Sequence, residues 1–182
     1  TPPRDAASVV LLRDSDEGLQ VFLLRRHSAS AVLGGAYVFP GGKVDDDDAL
    51  PDILAYLTRA PELLHPTLNQ ADLPAERAAA LYVAALREAF EECGVLLAQW
   101  QRRTPTLQAL ADAAKRLNAG TALPDLLAEF GATLDADAID WNDALGHDPA
   151  PWPRVTRAVE AAAKGGRSVA LLLDGVPVDY RE

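Results

Sequence analysis

The segment Ala75 to Cys93, AERAAALYVAALREAFEEC, followed by Gly94, constrains this chain more than any other. It is rich in Ala, Leu, Glu and Arg, has no internal Gly or Pro, and follows Asp72 and Pro74. Such a stretch is predicted to be one long helix, and Gly94 suits a left-handed C-cap. Leu86, Phe90 and Cys93 recur at i, i+4 and i+7, whereas Glu88, Glu91 and Glu92 fall at i, i+3 and i+4. The expectation is a helix apolar on one face and triply acidic on the other. Three carboxylates within a turn repel one another, and a divalent cation removes that penalty. Hard oxygen ligands suit Mg2+ or Mn2+, which keep several waters and also bind phosphate oxygens. Arg87, next to Glu88, is expected to hold that carboxylate in a charge-assisted pair, as a ligand or a base. A bare ExxEE is most often a solvated surface, so the rest of the chain has to decide.

Upstream, Ala7–Arg13 and Leu19–Arg26 read as two strands of an antiparallel hairpin turned by Asp14–Gly18, the second ending in Arg25-Arg26-His27. A Ser, Ala and Gly loop leads to Tyr37-Val38-Phe39 and then Pro40-Gly41-Gly42, where glycines permit conformations and close approaches closed to other residues. From Asp45 to about Arg77 the chain has four consecutive aspartates, several prolines and no clear period. This reads as an insertion, at about 49–74, lying outside the central sheet. After the acidic helix, Val95–Ala98 reads as a strand, Thr106–Leu117 and Leu123–Phe130 as helices, and Arg154–Lys164 as a further helix. Val169–Leu173 and Val176–Tyr180 read as a terminal hairpin.

Gly41-Gly42-Lys43-Val44 followed by Arg87-Glu88-Ala89-Phe90-Glu91-Glu92-Cys93-Gly94-Val95 resembles the Nudix box, whose pattern is Gly-x5-Glu-x7-Arg-Glu-U-x-Glu-Glu-x-Gly-U with U aliphatic. The second half matches throughout if Ala89 is accepted as a small U. Counting from Gly42, the first glutamate of the pattern falls on Asp48, and 38 residues rather than seven separate Asp48 from Arg87. An enlarged box of this kind is similar to the branch containing the peroxisomal acyl-coenzyme A diphosphatase of animals and its bacterial relatives. Leu23-Leu24-Arg25-Arg26-His27-Ser28 and Gly35-Ala36-Tyr37-Val38-Phe39-Pro40-Gly41-Gly42 support that likeness.

The resemblance implies an α+β fold, an α/β/α sandwich with a mixed sheet between helices. It implies one domain over 1–182, with a divergent C-terminal part from about 140. It also implies Mg2+ or Mn2+ held by the Gly41 carbonyl, Glu88, Glu91 and Glu92, with Arg87 and Glu88 as catalytic residues. The reaction would be water attack on a P–O–P bridge of a nucleoside diphosphate derivative, with coenzyme A or acyl-coenzyme A the first choice. Against the stricter coenzyme A signature, Arg25 stands at a Thr position, the arginine before the glycine is missing, and the spacing is one residue short. The Trp-Ile-Thr-Pro return of the branch is replaced by Asp140-Trp141-Asn142-Asp143. Substrate-binding residues are not assigned. The competing reading is a catalytically silent Nudix-like domain that binds a nucleotide as sensor or scaffold, which a lost helix glutamate would favour. None is lost.

Composition narrows the partners. With 17 basic and 27 acidic side chains the net charge is −10, so the surface repels nucleic-acid backbones, while a small phosphorylated substrate is bridged through cations. No apolar run approaches the roughly 20 residues of a membrane span, and Thr1-Pro-Pro-Arg-Asp5 lacks a signal-type apolar core. A cytoplasmic protein is expected, and a homo-oligomer is left open. Cys93, the single cysteine, reads as packing; His27, at a strand end within reach of a phosphate, reads as a surface histidine, and His65 and His147 lack metal-ligand spacing and receive no role.

Overall fold

A computed structural model describes residues 4–13, 16, 20–29, 34–68, 70–141 and 170–174 of the chain, with backbone alone at Arg13, Asp140, Trp141 and 170–174. In chain order the strands are β1 (Ala6–Arg13), β2 (Gln20–Val21), β3 (Leu24–Arg25), β4 (Tyr37–Val38) and β5 (Gly41–Lys43). A 3-10 turn over Asp46–Ala49, helices α1 (Pro51–Leu54) and α2 (Pro61–Leu64), and a second 3-10 turn over His65–Leu68 follow. Then come α3 (Ala75–Cys93), β6 (Ala98–Trp100), α4 (Leu107–Asn118), α5 (Leu123–Phe130), β7 (Ala132–Leu134), a 3-10 turn over Ala136–Ala138, β8 (Ile139–Trp141) and β9 (Ala170–Asp174). The expected helix at Arg154–Lys164 and the last arm at Val176–Tyr180 lie outside the described residues.

β1 organises the main sheet, which runs β2-β1-β9-β8 with β5 also on β1. Its sequence, AASVVLLR, carries buried residues on both faces, with Ala7, Val9 and Val10 fully covered, as an interior strand requires. β9 pairs antiparallel with β1 and parallel with β8, so the sheet is mixed. On the other edge of β1, Leu12 and Arg13 face Val21 and Gln20 of β2, while Ala6, Ala7 and Ser8 face Lys43, Gly42 and Gly41 of β5. One strand edge cannot serve two partners at the same level. The expected hairpin therefore ends early: the Phe22 N–H still reaches the Leu11 carbonyl, and the chain then leaves to form β3, which pairs with β4 instead. The strand expected at Val95–Ala98 starts later, at Ala98, where β6 pairs antiparallel with β7.

The second correction concerns α3. From Ala78 to Phe90 every residue but Glu88 is buried, so its middle is covered all round, not on one face. Six alanines in its first eleven residues leave room for neighbours to approach from several sides, and a helix apolar all round is a core helix. β1, β5, the 46–49 turn, α1, α2 and α4 all pack against it. Gly94, at φ 70°, ends it as expected: its N–H bonds the Phe90 carbonyl, and that of Val95 bonds the Ala89 carbonyl.

Residues 46–68 form short turns and helices outside the main sheet and supply Ile53, Leu57, Leu64 and Leu68 to the core around α3. Their backbone is tied to β7, with the Leu134 N–H on the Tyr56 carbonyl and the Thr58 N–H on that of Leu134. This stretch is a packed layer. Leu64→Ala is therefore expected to cost about 2–5 kcal/mol of unfolding free energy, the range for emptying a core site. A urea titration giving less than about 1 kcal/mol would show that the layer is dispensable.

Candidate active site

Two segments separated by 38 residues meet at Arg87. Arg87 lies six residues before Cys93, the last residue of α3, is 9% exposed, and its guanidinium uses all five of its N–H bonds. Nε and Nη2 donate to Asp48 Oδ1 and Oδ2 at 2.8 and 3.0 Å, a two-pronged pair. Nη2 also donates to the Lys43 carbonyl at 3.0 Å, and Nη1 to Glu88 Oε1 at 2.9 Å and Glu91 Oε2 at 3.0 Å. Asp45 stands further out, 3.5 Å from Nη2. One side chain thus joins the glycine strand, the aspartate turn and two helix glutamates.

Asp48, 3% exposed, is fully satisfied, since Oδ2 also accepts the Asp45 N–H at 2.9 Å. The expectation that Arg87 orients Glu88 holds in the geometry, but its main partner is Asp48, which sequence reading left open. The signal was present: Asp48 stands six residues after Gly42, where the box places an acid. Burial acts to lower the Arg87 pKa, yet the hydrogen bonds and charge of Asp48, then the charges of Glu88 and Glu91, outweigh it, so the guanidinium stays charged. Burial raises the Glu88 carboxyl above the ordinary range, and Arg87 offsets only part of that rise.

The glycines place the third carboxylate. Gly41, at φ 155°, has a conformation that side chains avoid, and a Cβ there would collide with the Ala7 carbonyl oxygen of β1. Its N–H donates to Glu92 Oε2 at 2.9 Å. At Gly42 a Cβ would occupy the space of the Glu88 carboxylate. The two glycines let the strand lie directly against the acidic end of α3.

A divalent cation fits this place in donor chemistry. Each of Glu88, Glu91 and Glu92 gives one oxygen to an N–H donor, and its second oxygen has no hydrogen bond among the described residues. As the side chains stand, no three acidic, imidazole or thiol groups among the described residues converge on one point. Their i, i+3 and i+4 spacing puts the Cβ atoms about 5–6 Å apart, within reach of a common ion by side-chain rotation. Gly41 is shown in contact with Glu92 through its N–H, so the expected carbonyl ligation is a separate matter.

The remaining candidates play structural parts. His27 Nδ1 accepts the Ala29 N–H, and His65 Nε2 meets the Gln70 carbonyl, closing the end of the inserted layer. His147 lies outside the described residues. Cys93 is half-buried, and burial, then the charge of Glu92, pushes its thiol up to about 11, the opposite of the shift that activates a thiolate. Asn118 was not anticipated: from the end of α4 its amide donates to the Glu91 carbonyl, one of the carbonyls α3 leaves open at its C-terminus.

A mixed sheet with the glycine strand laid on an acid-tipped helix is a Nudix arrangement, and the chain superposes on the crystal structure of a NUDIX hydrolase from Alicyclobacillus acidocaldarius. That match has a TM-score of 0.54 at 23% identity and covers 96% of this chain and 69% of that one. The family model of the NUDT19 Nudix domain matches residues 4–160, and the chain belongs to that family, a Nudix hydrolase in the expanded-box branch expected above. Nudix enzymes generally work with a divalent metal such as Mg2+. No helix among the described residues is long and apolar enough to cross a membrane.

Proposed function

We propose that this Nudix hydrolase cleaves the diphosphate of a nucleoside diphosphate derivative, with coenzyme A or acyl-coenzyme A the first candidate, releasing 3',5'-ADP and a phosphopantetheine. The observation that carries this reading is the Arg87 fan, which holds Glu88 and Glu91 beside the Gly41–Glu92 contact. Glu91, Glu92 and the Gly41 carbonyl would hold Mg2+ or Mn2+, with Glu88 as a further ligand or as the base. When bound, such ions neutralise the charge developing on the bridge and activate water. The chain's own contribution is positional: Asp48 fixes Arg87, and Arg87 keeps Glu88 and Glu91 at the end of α3 beside the glycine strand, so that side-chain rotation is what remains to bring their oxygens onto an ion. Glu88, raised by burial, is suited to taking a proton from water. The partner is a small molecule, not nucleic acid or a membrane, and the compartment proposed is the cytoplasm.

The test is a product screen of the purified protein with Mg2+ against coenzyme A, NADH, ADP-ribose and nucleoside triphosphates, repeated in EDTA. Cleavage of one diphosphate substrate, abolished by EDTA, is the expected result. With acyl-coenzyme A in 18O-water, the label should appear in 3',5'-ADP or the acyl-phosphopantetheine. Labelled free fatty acid with intact coenzyme A, or activity indifferent to EDTA, sinks the reading.

A further inference from the structure

α4 packs on α3 through Ala113, Ala114 and Leu117, all buried, and its last residue, Asn118, reaches the acidic end of α3. Asn118 Nδ2 donates to the Glu91 carbonyl at 3.1 Å and to the Ala114 carbonyl of its own helix at 3.0 Å. Both neighbours are acceptors, so the amide presents its nitrogen to them, and the two bonds together fix its direction. At the end of α3 the Gly94 and Val95 N–H groups take the carbonyls of Phe90 and Ala89. No backbone N–H among the described residues reaches that of Glu91, which leaves Asn118 as its donor. Glu91 and Glu92 are otherwise held through their carboxylates, by Arg87 and by the Gly41 N–H. Those contacts have to loosen as the side chains rotate onto an ion. Asn118 instead grips the backbone of the same turn, from 27 residues further along the chain, and its bond is untouched by that rotation. It does so where the helix dipole and three carboxylates concentrate negative charge, the place where an unmatched carbonyl is most unfavourable.

We propose that Asn118 is a positioning residue of this hydrolase: it clamps the last turn of α3, so that Glu91 and Glu92 turn onto a divalent cation while the turn that carries them stays in place. This role rests on the reading of those two glutamates as metal ligands. Groups that orient metal ligands contribute about 10–100-fold to metal affinity, and Asn118, which holds the backbone and not a carboxylate, belongs at or just below the low end of that range. Its place outside the carboxylate and arginine cluster makes the effect separable: the ligands remain, and only the firmness of their mounting changes.

Titration of the full chain with Mn2+ alone, with the free ion followed by its paramagnetic resonance signal, tests this. Asn118→Leu, which keeps the shape and removes the donor, and Asn118→Ala should each weaken Mn2+ binding about five- to tenfold. Arg116→Gln is the control: it removes the pair with Glu129 that ties α4 to α5, leaves the clamp, and should bind Mn2+ as the parent does. In hydrolysis the Asn118 variants should need correspondingly more Mg2+ for half-maximal rate and approach the parent's kcat at saturating Mg2+. Parent-like Mn2+ affinity in the Asn118 variants, an equal loss in Arg116→Gln, or a fall in kcat with an unchanged Mg2+ requirement overturns the positioning role. No Mn2+ binding by the parent, or parent-like binding by Glu92→Gln, overturns the metal reading and the role with it. Affinity lost in Glu92→Gln but kept in Asn118→Leu refutes the role alone. A parent that hydrolyses no diphosphate yet shows the expected Mn2+ pattern refutes the diphosphatase reading and keeps the role.

Discussion

Replacing Glu91 or Glu92 with Gln is expected to lower kcat/KM in Mg2+ by more than about 100-fold, because groups that merely support a metal ligand already cost about 10–100-fold when removed. The fold should survive both changes. Glu92 is exposed and its amide oxygen can still accept the Gly41 N–H; Glu91 loses one partly screened contact with Arg87, of order 0.2–1 kcal/mol. The bare sequence suggests a gain in stability from relieving repulsion among three acids, but Arg87 already lies between Glu88 and Glu91, so no gain is expected at Glu91. A titration of rate against Mg2+ separates ligand from bystander: loss of a ligand raises the metal concentration needed for half-maximal rate. If both variants keep near-parent rates at ordinary Mg2+, the active centre lies elsewhere in the chain.

How much of this was legible depended on whether the responsible interactions were local. α3 and its end at Gly94 could be read because helix propensity, the absence of Gly and Pro, and the left-handed cap are properties of neighbouring residues. The all-round burial of α3 was not, since it depends on segments that arrive from both sides of the sequence, including residues 46–68. β8 shows the same limit. Ile139–Trp141 is three residues long, and its pairing partner, β9, lies 28 residues beyond it, so nothing local marks it as a strand. The split of the second strand into β2 and β3 follows from competition for one edge of β1, which only the register reveals. In the site, spacing put Glu88, Glu91 and Glu92 together near the end of one helix and set Arg87 beside Glu88, whereas Gly41 entered only through the family resemblance. What they left out was the direction in which Arg87 points: toward Asp48 first, and through it to the glycine strand.

That direction makes Asp48 the other position where a single change should have a large effect. Asp48→Ala is expected to cost about 3–5 kcal/mol of stability, the range for removing one partner of a buried ion pair, because the Arg87 charge then stays buried with two donors unmet. Activity should fall as well, since the guanidinium freed from Asp48 no longer holds Glu88 and Glu91 at fixed positions. Arg87→Lys should not substitute for the native residue: an ammonium has three donors and no planar fork, whereas Arg87 uses five N–H bonds over three segments of chain. A double-mutant cycle distinguishes a coupled pair from two separate contributions. If the two residues act through each other, Asp48→Leu with Arg87→Met should destabilise much less than the sum of the single changes, because the double variant leaves no charge stranded. Urea unfolding with an unchanged slope would report this as a shift in midpoint alone. Additive losses, or an Asp48→Ala variant within about 1 kcal/mol of the parent, would mean that Arg87 is held by the Lys43 carbonyl and the helix glutamates without help from the turn.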